Sequence, residues 1–309
     1  MIHVIDVQSR ATIQDLGRFG LRRFGISQCG AMDKLALRAG NILLGNAEDA
    51  PAIEVPLGGI TLRFQQDMNF CVTGAFYEMT LDDKPVFAYW RYQARAGQVL
   101  KMIRAKIGMY GYLCVQGGFT LPQELNSCST DLRAQIGGIE GRGLQVGDQL
   151  QTVNDPILRS EIGIAPIPLK HTIHALPSSE YQAFKRKSQY YWWRSKWTLQ
   201  SNSDRMGYRF QGQKLELKQP LEMLSHAIQF GSVQVPPSGQ PIILMADAQT
   251  TGGYPKIANV IDADLGALAQ VRLGSTIQFE AVSLEQAAKL RRKNEIYLDQ
   301  IRRIVDEKN

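Results

Sequence analysis

Residues 247–255 read DAQTTGGYP and combine an acid, an amide, two threonines and two glycines. Two hydroxyls followed by two glycines can present consecutive backbone N–H groups beside side-chain donors, and such an arrangement binds an oxyanion or an amide oxygen. Asp247 and Gln249 point to the same side if the segment is extended. We predict a binding site here, whereas the alternative is a purely structural turn. The predicted substrate-binding residues are Gln249, Thr250, Thr251, Gly252, Gly253 and Tyr254.

A second concentration of such residues lies near the start of the chain. Residues 12–18 read TIQDLGR and are followed by further glycines and by GAMD at residues 30–33. Glycines at this spacing allow tight turns that would bring Asp15, Arg18 and Asp33 to one loop edge. Arg18 could then clamp a carboxylate or phosphate with two hydrogen bonds, and an aspartate could accept a proton or orient that arginine. The alternative is an Asp–Arg bridge that holds a glycine-rich turn.

A third segment repeats this combination of an acid, an arginine and a glycine. Residues 203–209 read SDRMGYR and are predicted to form a turn that leads into a strand. Arg205 is the candidate functional residue of this segment. A surface loop with a solvated charge pair is the alternative.

The elements that hold these segments are predicted to be mainly β-strands. Residues 60–64, 77–81 and 110–115 alternate in the strand period and are rich in β-branched and aromatic side chains. The run Asp82-Asp83-Lys84-Pro85 separates two such stretches and predicts a hairpin turn.

Helical patterns are few. Residues 31–44 carry an apolar face and stop at Gly45-Asn46, which is a good C-cap pair. A second candidate helix runs from Ser178 through Trp193. The clearest helix is the amphipathic C-terminal one, because Ser283 and Gln286 form a capping box ahead of a regular apolar spacing.

Two β units are predicted. Residues 154–168 start with polar residues and contain three prolines, so they are the best candidate for a seam. The first unit would be residues 1–160 with the QDLGR and GAMD segments. The second would be residues 161–309 with SDRMGYR, QTTGGYP and the C-terminal helix. The two units could also be intertwined.

Composition and missing motifs exclude several classes of protein. The 309 residues are 44% hydrophobic and 21% charged, as in an ordinary globular protein. The net charge of +6 arises from scattered basic residues, which do not imply nucleic-acid binding. No P-loop, no dinucleotide GxGxxG and no GxSxG are present. Four histidines and four widely spaced cysteines favour neither a metal cluster nor a disulfide framework. The first residues lack a secretory pattern, so we expect a cytoplasmic protein.

Several segments taken together resemble the carboxyltransferase-like family of urea amidolyase and the KipA-like proteins. They include TIQDLGR, SCSTDLRAQIGGIEGR, SDRMGYRFQG and VQVPPSGQPIILMADAQTTGGYP. The likeness covers nearly the whole chain, and QDLGR and QTTGGYP are specific to the family. It is strongest to the 5-oxoprolinase branch. The resemblance implies a cyclophilin-like β-barrel, in agreement with the strand-rich pattern.

The resemblance also implies an activity and partners. The expected function is that of a subunit of an ATP-dependent 5-oxoprolinase, which converts 5-oxoproline, ATP and water to glutamate. It would act with a B-type, KipI-like subunit and an A-type subunit, and ATP with magnesium would be shared with a partner. The alternatives are a KipA-like regulator that binds a histidine-kinase inhibitor and a biotin-dependent urea-type carboxyltransferase subunit. The chain has no Ala-Met-Lys-Met motif, so covalent biotin is not expected.

Both 5-oxoproline and urea are planar amides whose oxygen must be polarised. N–H donors from residues 250–253 would polarise that oxygen, and the arginines would hold a carboxylate or phosphoryl group. The aspartates would accept a proton or hold magnesium. We expect one pocket in which the threonine and glycine corner faces Arg18 and Arg205. The candidate catalytic residues are Asp15, Arg18, Asp33, Arg205 and Asp247.

Overall fold

The computed structural model describes residues 1–153, 156–158 and 161–308, which form two compact units. Unit 1 contains Met1–Arg18, Cys29–Pro168 and Glu295–Asn309. Unit 2 contains Phe19–Gln28 and Leu169–Asn294. Both units are therefore built from segments that are not consecutive in the chain. Within the predicted seam, Asn154, Asp155, Arg159 and Ser160 lie outside the described residues.

Unit 1 is built on a nine-stranded antiparallel sheet. Its strands are β1 (Ile2–Val7), β2 (Thr12–Gln14), β3 (Ala52–Pro56), β4 (Ile60–Phe64), β5 (Met68–Leu81), β6 (Lys84–Pro85), β7 (Arg91–Ala94), β8 (Val99–Val115) and β9 (Gln149–Leu150). The order is β2-β3-β8-β4-β1-β9, and β5 pairs with β6, β7 and β8. The buried side chains of these strands form one hydrophobic core.

The predicted hairpin turn is confirmed in unit 1. Asp82 and Asp83 both have positive φ, 48° and 62°, and they connect β5 to β6. Short polar side chains tolerate this left-handed conformation. The Asp82 carboxylate also accepts a hydrogen bond of 2.8 Å from the Val99 backbone N–H, which fixes the turn against β8.

Unit 2 contains a closed seven-stranded barrel, which confirms the barrel expectation. The strands of unit 2 are β10 (Thr172–Pro177), β11 (Trp197–Leu199), β12 (Gly207–Gln211), β13 (His226–Ala227), β14 (Ser232–Gln234), β15 (Ile242–Leu244), β16 (Thr251–Gly252), β17 (Lys256–Val260) and β18 (Thr276–Ala281). The barrel order is β10-β17-β14-β15-β12-β11-β18, while β13 and β16 form a separate two-stranded sheet. Stacked rings of Trp192 and Phe279, with centroids 4.2 Å apart, lie in its core.

The structure assigns the helices α1 (Lys34–Leu43), α2 (Arg186–Arg194), α3 (Asp262–Ala269) and α4 (Leu284–Lys308). Helix α1 begins three residues later than predicted, after Asp33. The second predicted helix is shorter than expected, because residues 181–183 form a 3-10 turn before α2. No helix in the described part of the chain is long and apolar enough to cross a membrane.

The capping box that predicts helix α4 is formed. Ser283 Oγ accepts from the Gln286 backbone N–H at 3.1 Å, and Gln286 Oε1 accepts from the Ser283 backbone N–H at 2.7 Å. We expect Ser283→Ala to lower the free energy of opening of the first turn of α4 by about 1 kcal/mol, because one N–H then loses its acceptor. Hydrogen exchange of that turn measures the change. Exchange identical to wild type would contradict a stabilising cap.

Candidate functional site

The predicted binding segment lies in unit 2, where it includes a short strand. Thr251 and Gly252 form β16 and pair with β13, with Ala227 opposite Thr251 and His226 opposite Gly252. Ile228 adds a bond of 3.1 Å from its backbone N–H to the Thr250 carbonyl. Thr251 and Gly252 thus lie in a short ladder, and the predicted binding role of the N–H groups in this segment stays a prediction.

Two predicted catalytic residues form an ion pair at the start of this segment. The Arg205 guanidinium donates to both carboxylate oxygens of Asp247, from Nε at 2.8 Å and from Nη2 at 2.7 Å. Their side chains are only 14% and 13% exposed. The Asp247 backbone N–H also donates to the Arg205 carbonyl at 2.9 Å. The pair compensates both charges and joins the SDRMGYR loop to the binding segment.

Residues 19–28 belong to unit 2 and also contact the binding segment. The Arg22 guanidinium donates to the Ile228 carbonyl and, at 3.3 Å, to the Gln249 carbonyl. Ser27 Oγ donates to the Ala248 carbonyl at 3.4 Å. Burial lowers the pKa of Arg22. Sequence reasoning missed Arg22, although it lies in the glycine-rich stretch that follows QDLGR.

A buried lysine follows the binding segment directly. The Lys256 side chain is 10% exposed, and its Nζ lies 3.1 Å from Glu180 Oε2. The same Nζ contacts Nε2 of His226. Burial opposes ionisation of Glu180, but hydrogen bonds from Ser179 and Lys256 outweigh it and lower the pKa of the carboxyl. Lys256 and Glu180 therefore form a charged pair beside His226.

Gln234 completes this cluster from the neighbouring strand. The residue is 3% exposed, and Nε2 has no hydrogen-bond partner among the residues that the structure describes. A Cβ added to Gly252 would lie 2.5 Å from this nitrogen, so a larger residue there would displace the Gln234 side chain. Sequence reasoning missed Gln234, Lys256 and Glu180. Gln234 lies in the VQVPPSG stretch that carries the family resemblance but was not singled out there, and Lys256 and Glu180 lie in no predicted site segment.

The predicted catalytic Asp15 lies in unit 1 and is 7% exposed. Oδ1 accepts from the Gly17 backbone N–H and the Ser127 hydroxyl, both at 2.7 Å, and from the Ser129 hydroxyl. Oδ2 accepts from the Cys128 backbone N–H at 2.6 Å. The carboxylate therefore joins the QDLGR loop to residues 127–129.

The other predicted unit 1 residues are also buried. Arg18 is 0% exposed and donates to the Ser129 carbonyl at 2.6 Å and to the Glu124 carbonyl at 3.2 Å. Asp33 is the N-cap of α1 and accepts from the Ala36 backbone N–H at 3.1 Å. Arg18 belongs to unit 1 and Arg205 to unit 2, and their common pocket stays a prediction.

Each of the predicted carboxylates already has a partner within the protein. No group of three or more acidic, histidine or cysteine side chains within the described residues could hold a metal ion. Asp15 accepts hydrogen bonds from protein donors, Asp33 caps a helix, and Asp247 pairs with an arginine. His174 Nδ1 lies 2.6 Å from Asp264 Oδ2, so this histidine contacts a carboxylate outside the predicted site.

A separate cavity of about 580 Å³ lies beside α2 in unit 2. Tyr190, Trp193 and Glu280 are among the residues that line it. None of the predicted site residues lines this cavity, so it gives no support to the site at residues 247–256.

Comparison with known proteins defines the class of protein. A carboxyltransferase domain, subdomain A and B, matches residues 24–281, and the chain belongs to this family. It is 91% identical to the C-type subunit of 5-oxoprolinase from Haemophilus influenzae over 309 residues, which are 100% of both chains. It is 48% identical to the corresponding 5-oxoprolinase subunit from Escherichia coli (strain K12), over 97% of each chain. The predicted resemblance is confirmed.

A solved structure has the same fold. The crystal structure of the K. lactis urea amidolyase superposes with a TM-score of 0.90 at 26% identity. The match covers 97% of this chain and 20% of that chain. This architecture therefore also occurs as a small part of a much larger enzyme.

Proposed function

We propose that this protein is a subunit of an ATP-dependent 5-oxoprolinase that converts 5-oxoproline, ATP and water to glutamate. The observation that carries the proposal is the 91% identity to the C-type 5-oxoprolinase subunit of Haemophilus influenzae over the full length of both chains. A subunit designation implies further subunits, and we propose a B-type and an A-type partner. The expected cytoplasmic location is part of this proposal.

The lactam is proposed to bind at residues 247–256 of unit 2. Gln249, Thr251 and Tyr254 are exposed there, and so they are available to a substrate. Arg205 and Arg22 support the backbone of this segment through Asp247 and the Gln249 carbonyl. A binding segment held in this way is preorganised, which favours binding of a small planar amide.

ATP and magnesium are proposed to be held together with a partner subunit. The aspartates of this chain that could bind a cation already accept hydrogen bonds from protein donors or pair with an arginine. Bound magnesium would neutralise charge on the transferring phosphoryl group. The residues of this chain would then bind and orient the lactam.

A urea-type carboxyl transfer is the second candidate. The TM-score of 0.90 to the K. lactis urea amidolyase favours it, because the same fold serves there within an enzyme that acts on urea. This candidate requires a separate biotin protein and predicts that avidin inhibits the reaction.

The test is reconstitution of the purified chain with its B-type and A-type partners. We expect ATP hydrolysis that depends on 5-oxoproline and yields glutamate, and no such hydrolysis when this chain is omitted. Unchanged glutamate formation without the chain would contradict the proposal. Inhibition by avidin would favour carboxyl transfer, and binding of a kinase inhibitor without any turnover would favour a regulator.

Thr251→Val is expected to lower kcat/KM for 5-oxoproline about tenfold to a hundredfold, because a hydroxyl on an exposed strand is lost as a hydrogen-bonding group. The melting temperature should stay within a few degrees, as for most surface changes. Thr276→Val, at an exposed threonine of β18, is the matched control and should leave both quantities unchanged. Equal activity in the two variants would remove Thr251 from the site.

A further inference from the structure

Gln234 carries a buried donor that the fold does not use. The residue is 3% exposed, and its side-chain Nε2 makes no hydrogen bond to any residue in the described ranges. Burying an N–H group without an acceptor is unfavourable, so such groups are rare in folded proteins. An unpaired donor that the fold retains at this cost points to an acceptor supplied by a ligand.

Four further residues belong to the cluster around Gln234. Lys256 lies directly opposite Gln234 in the β14–β17 ladder. Gly252 faces Nε2, since a Cβ at that position would come within 2.5 Å of it. His226 lies opposite Gly252 in the β13–β16 ladder, and its ring contacts the Lys256 ammonium. Ile228 adds an apolar wall, with Cδ1 at 2.9 Å from the same Cβ position.

The charges of the cluster indicate which oxygen would bind. Glu180 lies 3.1 Å from the Lys256 ammonium and compensates its charge. His226 Nδ1 lies 3.2 Å from the Leu224 carbonyl, and in the tautomer that donates from Nδ1 its Nε2 accepts from Lys256. The cluster is therefore close to neutral and rich in donors. Such a site suits a neutral carbonyl on which charge develops better than it suits a full carboxylate.

We propose that Gln234 Nε2 and Lys256 Nζ donate to the ring carbonyl oxygen of a lactam substrate. This inference rests on the proposed function and names the group of the substrate that this part of the site binds. It assigns the polarising donors to two side chains, since Thr251 and Gly252 already belong to a ladder with β13. No covalent bond to the protein is formed.

The decisive variant is Gln234→Met, which keeps the size of the side chain and removes the N–H. In the full complex with both partners, we expect kcat to fall roughly a hundredfold. The melting temperature should stay equal or rise, because a buried unpaired donor is removed. A merely structural glutamine would lose stability and leave the activity of the folded fraction unchanged, which would overturn the proposal. Gln240→Met is the matched control, since Gln240 contacts the Gly212 loop and not this cluster.

Binding of three small molecules to the full-length chain shows which oxygen of the substrate accepts from Gln234 and Lys256. The probes are 5-oxoproline, pyrrolidin-2-one, which lacks the carboxylate, and L-proline, which lacks the ring carbonyl. We expect Gln234→Met and Lys256→Met each to weaken both lactams at least tenfold in calorimetric titration. Weakened binding of 5-oxoproline and L-proline with unchanged pyrrolidin-2-one would assign the donors to the carboxylate and overturn the proposal.

The two proposals fail in different ways. If the wild-type complex consumes 5-oxoproline but Gln234→Met and Lys256→Met bind lactams like wild type, the donor pair is wrong and the proposed function stands. If the wild-type complex does not consume 5-oxoproline, the proposed function fails, and the lactam titrations alone decide the donor pair. In that case, retention of lactam binding by both variants overturns the proposed donor pair.

Discussion

Replacement of Asp15 by alanine is expected to lower the free energy of unfolding of unit 1 by about 3–5 kcal/mol. The carboxylate is buried and accepts hydrogen bonds from two hydroxyls and two backbone N–H groups, those of Gly17 and Cys128. All of these donors lose their acceptor in the variant, and each unpaired buried group is unfavourable. Urea unfolding, combined with hydrogen exchange of residues 124–129, measures the loss.

Asp6→Ala is the matched control for this variant. Asp6 also lies in unit 1, but its carboxylate accepts a single side-chain hydrogen bond from the described residues. This bond, of 3.1 Å from Gln8 Nε2, is exposed. We expect its effect to stay within about 0.5 kcal/mol. If Asp15→Ala instead unfolds like wild type while turnover of the complex is lost, Asp15 is a catalytic residue and not a structural one.

Local sequence signals predicted the fold class and several of its elements. The turn at Asp82 and Asp83 and the cap at Ser283 were predictable because the deciding contacts lie within a few residues. The interleaving of the two units was not predictable in detail, because it depends on contacts between distant segments. Residues 19–28 join unit 2 and residues 295–309 join unit 1, and no local pattern marks either switch.

The site shows the same division between local and distant information. Composition placed Asp247 and Arg205 among the candidates, but their pairing depends on the β12–β15 register, which brings Gly207 opposite Leu244. Gln234 and Lys256 were missed because each is one polar residue in a short strand and has no chemical motif of its own. Their significance comes from lying opposite each other, which only the β14–β17 register shows.

The segment QDLGR shows why residue types alone leave roles open. An aspartate and an arginine among glycines suit an exposed anion clamp and a buried loop bridge equally well. Burial distinguishes the two, since Arg18 is fully covered and donates to two backbone carbonyls. These contacts can be explained without catalysis, and the catalytic role of Arg18 stays a prediction.

Arg205→Ala is expected to destabilise unit 2 and to lower turnover together. Asp247, whose side chain is only 13% exposed in the intact pair, would lose the guanidinium that donates to both of its oxygens, and breaking a largely buried pair of this kind costs about 3–5 kcal/mol. Because Asp247 starts the binding segment, its displacement should also lower kcat/KM for 5-oxoproline in the reconstituted complex at least tenfold. Urea unfolding and steady-state kinetics measure the two effects.

The double variant Arg205→Met with Asp247→Leu separates the two roles of the pair. It removes both charges and keeps apolar volume, so we expect most of the lost stability to return, with a coupling free energy of about 1–3 kcal/mol. If kcat/KM returns with stability, the pair only holds the segment in place. If stability returns and turnover does not, Arg205 or Asp247 contacts the substrate directly. A coupling free energy near zero would contradict the bidentate pair itself.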